Sequence, residues 1–481
     1  MAGFHMEHFG CRAARADGEA ISARLHAAGH SSAQQLSRAE VVIVNSCSVT
    51  AEADREARAF IRRAHRQNPE ARIVVTGCYA QRAPEELAHM EGVAAVIGNS
   101  HKALAPEIIL NLAHRPIGTS RPVPDSLISV ESLLAGAAPS QPAPVQLASV
   151  QLAPMWVDDR FAHSFIEEAQ LVPGVQTRPN LKIQEGCGNR CTFCVIPQTR
   201  GPSSSLPAAR VLRQVEEFVA AGGNELVLSG INLGRWGRDL SATGPAPRIF
   251  LAALVRQILE RTGLPRLRLS SIEPMDWDHQ LIGLMAEFGG SRLARHAHLP
   301  LQSGSDAVLR RMHRRYRPWH YAEKIGTLLR AAGSDLTIGA DVMVGFPGET
   351  DAEFAETLAF VRALPFGYLH LFPFSPRPGT RGWALHRQSP VAPAVVEDRI
   401  AALRALGAER TAAHRRGFVG RKLKAITLNS PAALSAEGRS AGLTENFLPV
   451  EMDGNIPANR LARVLITGLS AEGALQGNVT A

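Results

Sequence analysis

Apolar residues along the first 115 positions fall in short continuous runs separated by stretches of helical spacing. FHMEHF (4–9), VVIVN (41–45), RIVVTG (72–77) and VAAVIG (93–98) read as strands. The segments that follow them, to about Ala28, over 53–66, over 84–90 and from about 102, read as amphipathic helices. Glu52, Asp54 and Glu56 fall at the start of the second of these, the positive end of its dipole. Strands that are apolar throughout must be covered on both faces, so the alternation predicts an open parallel α/β sheet over 1–115.

The pattern dissolves over 116–178, where Pro, Ala, Ser and Gln dominate (AGAAPSQPAPVQLASVQLAP), and a largely disordered linker is expected there. Alternation resumes over 179–412. LKIQE (181–185), ELVLSG (225–230), RLRLSS (266–271), HAHLPL (296–301), LTIGADVMVGF (336–346) and YLHLFPF (368–374) read as strands. Helices are expected around 208–221, 249–262, 277–288, 318–332 and 351–363. Six such units predict a partial (β/α)6 barrel, because full closure into an eight-fold barrel takes more strands. Over 417–481 the runs FVGRKLKAITL, FLPVEM, RLARVLITGL and ALQGNVTA, with turn residues between them, predict a small β-barrel. The fold class is α/β.

A chain of 481 residues exceeds what one core supports, and 45% hydrophobic with 20% charged residues is ordinary for a soluble globular protein. No run approaches the roughly 18 apolar residues of a membrane span, and MAGFHMEHFGC lacks the charged and apolar regions of a secretory signal. The expected location is cytoplasmic, where cysteines stay reduced and serve as ligands or catalysts. A net charge of +8 suits a polyanionic partner, although only five of the 52 basic residues are Lys, which points equally to a genome-wide preference for Arg.

The cysteines change the picture. Three of the six, Cys187, Cys191 and Cys194, lie within EGCGNRCTFCVIP (185–197). A zinc site commonly takes four ligands, and no fourth Cys or obvious His partner lies nearby. Three thiolates from one loop can instead hold three corners of a [4Fe–4S] cube, leaving one iron for a chelating small molecule such as the methionyl end of S-adenosylmethionine. The loop follows the first barrel strand, at the face where such barrels place their chemistry. Phe193, just before the third cysteine, is positioned to pack against an adenine ring. Cys11, Cys47 and Cys78 each follow an expected strand of the first domain. Neighbouring strands lie about 4.8 Å apart, so thiols at adjacent strand ends can converge on a second cluster; the bland alternative is three buried core cysteines.

The Cys-x-x-x-Cys-x-x-Cys pattern with its aromatic residue resembles the radical S-adenosylmethionine enzymes. The three-domain order is similar to the methylthiotransferases among them. The residues that carry the resemblance are FGC (9–11), VNSCSVTAEADREAR (44–58), VTGCYAQRAPEEL (75–87), IQEGCGNRCTFCVIP (183–197), HLPLQSGSDAVLRRM (298–312), DVMVGFPGET (341–350) and FPFSPRPGT (372–380). VLSGINLGRWGRDL (227–240) looks most like the branch acting on N6-threonylcarbamoyladenosine in tRNA. The chain departs from the family at Ala13 and Ala14, where an Asn is usual, and at RGPSSSLP (200–207), where a further Arg is frequent.

The resemblance implies two [4Fe–4S] clusters, at Cys187/Cys191/Cys194 and at Cys11/Cys47/Cys78, with S-adenosylmethionine as cosubstrate. Reduction of the first would cleave S-adenosylmethionine to methionine and a 5′-deoxyadenosyl radical that takes hydrogen from C2 of adenosine 37; the second would hold the sulfur that is methylated and transferred. The implied partners are the anticodon region of tRNA, an electron donor such as flavodoxin or ferredoxin, and a sulfur source. By position at strand ends, Ser229, Gly230, Ser271, Glu273, Gln302, Ser303 and the loop Gly345-Phe346-Pro347 are cosubstrate candidates.

For RNA, RRMHRRYR (310–317) offers five Arg for phosphates and Tyr316 for base stacking. The basic run RRGFVGRKLK (415–424) leads into the tail, which corresponds to the family's RNA-binding barrel, the TRAM domain. ENF (445–447) is the nearest match to that barrel's aromatics, and the 17 His show no metal-ligand spacing. Other readings keep the chemistry but change the target, to isopentenyladenosine-37 or a ribosomal-protein aspartate, or drop catalysis for an RNA-binding iron–sulfur sensor.

Overall fold

The computed structural model describes residues 3–113, 152–161, 178–240 and 249–480, together with 164, 166, 171 and 173. They form two units, residues 1–10, 21–48 and 52–164 in one, and residues 11–20, 49–51 and 165–481 in the other.

The first unit is a parallel sheet. Its strands are β1 (Gly3–His8), β2 (Ser31–Ser32), β3 (Val41–Ser46), β4 (Arg72–Gly77), β5 (Val93–Gly98) and β6 (Met155–Trp156), in the order β2-β1-β3-β4-β5-β6. All six residues of β3 are buried, because alternate side chains serve two cores. Val42 and Val44 pack with Ala57, Phe60 and Ile61 of the helix Ala51–Gln67. Val41 and Ile43 pack on the other face with Ile21, Leu25 and Ile109. The sheet takes in Met155–Trp156, within the stretch 116–178 expected to be linker; residues 116–151 and most of 162–177 of that stretch lie outside the described residues.

In the second unit, β7 (Asn180–Glu185), β8 (Ser204–Ser205), β9 (Glu225–Gly230) and β10 (Arg266–Leu269) form one sheet in the order β10-β9-β7-β8, and only β8 is antiparallel. A second sheet holds β11 (His296–His298), β12 (Thr337–Val344) and β13 (Phe366–Pro373), all parallel. The two join through an isolated bridge, Leu267 to Leu293, and through the Ile272 N–H donating to the His298 carbonyl at 3.1 Å. Helices Ala208–Ala220, Leu251–Arg261, His279–Phe288, Pro318–Ala332 and Asp351–Ala363 follow the strands, and the strand residues Leu226, Leu228, Leu267, Ala297, Ile338 and Ala340 enter the shared apolar core. This is the partial barrel expected. The helix Pro393–Arg416 was not legible, since its buried positions are only Arg399, Leu403, Leu406 and Gly407, one of them a cation.

The alternate strand residues carry charge. Glu225 is fully buried and pairs with Arg268 Nε at 2.9 Å and Arg266 Nη1 at 3.1 Å. On the neighbouring strands, Asp341 accepts from His298 Nε2 at 3.0 Å and His370 Nδ1 at 3.2 Å, and the Tyr368 hydroxyl meets His298 Nδ1 at 2.9 Å.

The tail is a closed barrel, β14 (Lys422–Thr427), β15 (Arg439–Thr444), β16 (Pro449–Asp453), β17 (Leu461–Leu469) and β18 (Leu475–Thr480), ordered β14-β15-β16-β18-β17. Strand β15, RSAGLT, has little β-propensity of its own, and pairing with β14 and β16 makes it a strand. Phe447, in the left-handed region at φ 66°, stacks on His296 at 4.4 Å and lies under Arg268 at 5.3 Å. The aromatic of ENF thus packs on the charged side of the half-barrel.

Burial alone would raise the Glu225 carboxyl; Arg268, Arg266 and Arg178 outweigh it and hold the group below the usual carboxylate range. Replacing Glu225 with Ala leaves two buried guanidinium groups unpaired and is expected to cost about 3–5 kcal/mol in denaturant unfolding. The contribution is full above the ordinary carboxylate range and is lost as pH falls through the lowered folded value. The gap between wild type and Glu225→Ala should therefore narrow below about pH 4.

Candidate active site

The loop 186–200 begins where β7 ends. Glu185 and Arg200, at its two ends, form an ion pair at 2.9 Å with both side chains buried. Lys182 Nζ lies 2.8 Å from Glu185, and Asp17 pairs with both cations, at 3.0 Å with Arg200. Burial alone would lower the Lys182 pKa, but the carboxylates of Asp17 and Glu185 raise it. Gly186 turns the chain at φ 65°; a Cβ there would fall 1.9 Å from the Pro202 carbonyl oxygen. The Cys187 N–H donates to the Gly201 carbonyl at 3.2 Å, which completes the stem. Further out, the Thr192 N–H donates to Met312 O at 3.1 Å, and the Gly382 N–H donates to Thr192 O at 2.7 Å.

The loop brings Cys187, Cys191 and Cys194 onto the wall of one cavity of about 410 Å³. The sulfur of Cys187 accepts from the Asn189 N–H at 3.4 Å and Asn232 Nδ2 at 3.6 Å, and that of Cys191 from Arg314 Nη1 at 3.3 Å. Burial pushes the Cys187 thiol up, and the Cys194 thiol up to about 12, with the neighbouring sulfurs adding to the effect. Three sulfurs on one cavity, each receiving an N–H donor, with Ile196 supplying that of Cys194, fit a cluster bound through three thiolates.

A second cavity, of about 560 Å³, shares Cys191 and the backbone around it and is lined by Asn232, Arg235, Arg238, Glu273, Asp276 and the run His313–Arg317. Asn232 sits in the left-handed region at φ 56°, and Arg314 is buried and ion-paired with Glu273. The role of Arg314 beside Cys191 was not legible within RRMHRRYR, since nothing in that run distinguishes it from its neighbours.

The candidates read from sequence scatter. Among the cosubstrate candidates, Glu273 lines this cavity, while Ser271 is exposed beyond the end of β10. Ser229 is buried with its hydroxyl unbonded, and Gly230 lies against Gln184 of β7. Gln302 takes a left-handed turn at φ 66° and bonds through its backbone to Asp341 and Met343. Ser303 is buried and hydrogen-bonded to Thr357 at 3.0 Å. Gly345 donates its N–H to Glu349, Phe346 is buried against Phe374, and Phe193 is half-buried on the core.

Tyr316 corrects the expectation of base stacking. It is buried, and its hydroxyl meets the carbonyls of Pro300 and Leu301 at 2.7 Å. Arg310 and Arg311 of the same run are paired with Asp306 and Glu353. The histidines hold a group that spacing concealed: ligand atoms of His298, Asp341 and His370 lie within 4.8 Å of one another, close enough to share a metal ion.

In the first unit, Cys47 and Cys78 are buried and immediately follow the paired strands β3 and β4, and Asn99 Nδ2 donates to Cys78 Sγ at 3.4 Å. Gly10 passes so close to Cys47 that a Cβ would lie 2.6 Å from its sulfur. Cys11, the next residue in the chain, belongs to the second unit and is exposed.

Two family models match the chain: uncharacterized protein family UPF0004 over residues 3–98 and the radical SAM superfamily over residues 181–361. The chain is 32% identical to the threonylcarbamoyladenosine tRNA methylthiotransferase MtaB of Bacillus subtilis, over 92% of this chain and 89% of that one. It is 30% identical to the protein of the same description from Aquifex aeolicus, over 96% and 99%. It is also 32% identical to a tRNA-2-methylthio-N(6)-dimethylallyladenosine synthase of Parafrankia, over 98% and 84%. In fold it resembles the radical S-adenosylmethionine methyltransferase TsrM of Kitasatospora setae, with a TM-score of 0.51 at 15% identity, over 79% of this chain and 76% of that one. The half-barrel with its cysteine loop defines a radical SAM enzyme, a class that uses a [4Fe–4S] cluster and S-adenosylmethionine. The chain belongs to the methylthiotransferase family within it.

In metal-free protein under anaerobic conditions, iodoacetamide should alkylate exposed Cys11 first and, among the three cysteines of the loop, Cys194 last. At pH 8 a thiol near 12 is ionised only about one part in ten thousand. Arg200→Ala, which opens the stem, should raise the rates at Cys187, Cys191 and Cys194 and leave Cys78 unchanged, as read by peptide mass spectrometry.

Proposed function

We propose that this chain is a tRNA methylthiotransferase that adds a methylthio group to C2 of N6-threonylcarbamoyladenosine at position 37, working in the cytoplasm on the anticodon region. The observation that carries the reading is the pair of adjoining cavities, one walled by Cys187, Cys191 and Cys194, the other by arginines, with Cys191 common to both. The Bacillus subtilis and Aquifex aeolicus relatives, named for that nucleoside, support the choice of substrate.

Cys187, Cys191 and Cys194 would hold one [4Fe–4S] cluster, and Cys11, Cys47 and Cys78 a second. The adjacency of β1, β3 and β4, each followed by one of the latter three, supports the second. When bound, the clusters and S-adenosylmethionine supply the radical and the sulfur. The chain's own part is positioning. The Glu185–Arg200 stem holds the loop, and Asn232 and Arg314 hold sulfurs by N–H donation, the means by which a protein tunes such a centre. Glu273 keeps the Arg314 guanidinium aimed at Cys191. A flavodoxin or ferredoxin would deliver electrons, and a separate donor the sulfur. The β-barrel tail would contribute an RNA surface.

Loss of the gene should remove 2-methylthio-N6-threonylcarbamoyladenosine from tRNA hydrolysates and leave its unthiolated precursor, as read by nucleoside mass spectrometry. Disappearance of the methylthio dimethylallyl nucleoside instead would move the enzyme to the branch of the Parafrankia relative. With reconstituted protein, the triple Ala variant at Cys187, Cys191 and Cys194 should lose about half the iron and all 5′-deoxyadenosine formation. The triple variant at Cys11, Cys47 and Cys78 should lose a similar share of iron, still form 5′-deoxyadenosine, and make no methylthio product.

A further inference from the structure

The second cavity contains a charge arrangement that cluster binding leaves unexplained. Asp276 is buried and receives two guanidinium groups on one oxygen, Arg235 Nε at 3.2 Å and Arg238 Nη2 at 3.2 Å. One carboxylate cannot neutralise two arginines, so the trio carries one net positive charge toward the cavity. Arg235 Nη2 is buried and makes no hydrogen bond among the described residues. Arg314 differs, because Glu273 already balances it. A planar guanidinium with an unfilled N–H beside a second guanidinium calls for a planar, bidentate anion, which is the geometry of a carboxylate.

We propose that Arg235 and Arg238, braced by Asp276, form the receptor for the carboxylate of the threonylcarbamoyl group on the substrate adenosine. The inference rests on the substrate reading above and deepens it. Both arginines lie in GINLGRWGRDL, just past β9 and the left-handed turn at Asn232, whose amide meets Cys187. The segment that binds the modification therefore also touches the cysteine loop, and this ties the anchored end of the base to the reacting end. The selectivity follows from the same charges. A dimethylallyl group offers them no partner, and a site built to bind a polar substituent rejects an analogue lacking it because its own buried groups are left unpaired. Backbone phosphates are common to every tRNA and carry no such selectivity.

The test uses full-length reconstituted protein and four anticodon stem-loop RNAs identical except at position 37: threonylcarbamoyladenosine, its methyl ester, unmodified adenosine and dimethylallyladenosine. Affinities are compared within each protein. Wild type is expected to bind the free carboxylate about 10–100-fold more tightly than the ester. In Arg235→Gln/Arg238→Gln that ratio should fall to near one, while affinity for the ester and for unmodified adenosine stays as in wild type. Arg238 is exposed, so Arg238→Gln alone, expected to lose part of the ratio, serves if the double variant does not fold. A double variant that keeps the wild-type ratio overturns the receptor. Equal weakening toward all four RNAs also overturns it, by assigning the arginines to phosphates. If wild type itself prefers the dimethylallyl RNA, the substrate reading fails and the receptor with it, an outcome distinct from the other two.

Discussion

The closed stem of the cysteine loop is the constraint on which the rest of the site depends. Three cysteines within eight positions can lie on one cavity only if the chain that carries them leaves β7 and returns to almost the same place. The Glu185–Arg200 pair, the turn at Gly186 and the Cys187-to-Gly201 bond do that within one layer of structure. The pair is buried, and a buried ion pair contributes little net stability when it replaces apolar packing. Its effect is positional: once Glu185 and Arg200 are out of water, each must find the other, and the loop has one register. Lys182 and Asp17 close the account by leaving two anions against two cations.

The same logic operates along the charged side of the half-barrel. Glu225 with its arginines, and Asp341 with its histidines, occupy alternate strand positions whose neighbours fill the apolar core. Charges held this way fix strand register, since a one-residue slip would move them into the apolar core and set the leucines among the charges. The barrel at the end of the chain contributes Phe447, which covers Arg268 and His296 with an aromatic face.

Against this balance, the arginine-lined cavity stands out as unbalanced. Glu273 satisfies Arg314 and Asp276 is shared, so the residual charge is local, partly buried and next to Cys191. An overall charge of +8 is compatible with any polyanion and with a plain preference for Arg, whereas the arrangement at Asp276 is a local feature on which the proposed receptor rests.

By itself the sequence determined the parallel sheet, the half-barrel and the β-barrel that ends the chain, and the placement of all six cysteines beyond strand ends. Those features rest on local periodicity and on residue types few enough to be informative. Short-range patterns could not separate Arg314 from four other arginines in one run, assign Tyr316 to the core, or find a strand in RSAGLT. Nor could they unite His298, Asp341 and His370, which lie on three different strands. These outcomes depend on which side chain meets which partner across the fold. Only the tertiary structure decided them, because burial and pairing are properties of the assembled strands and not of any stretch of chain.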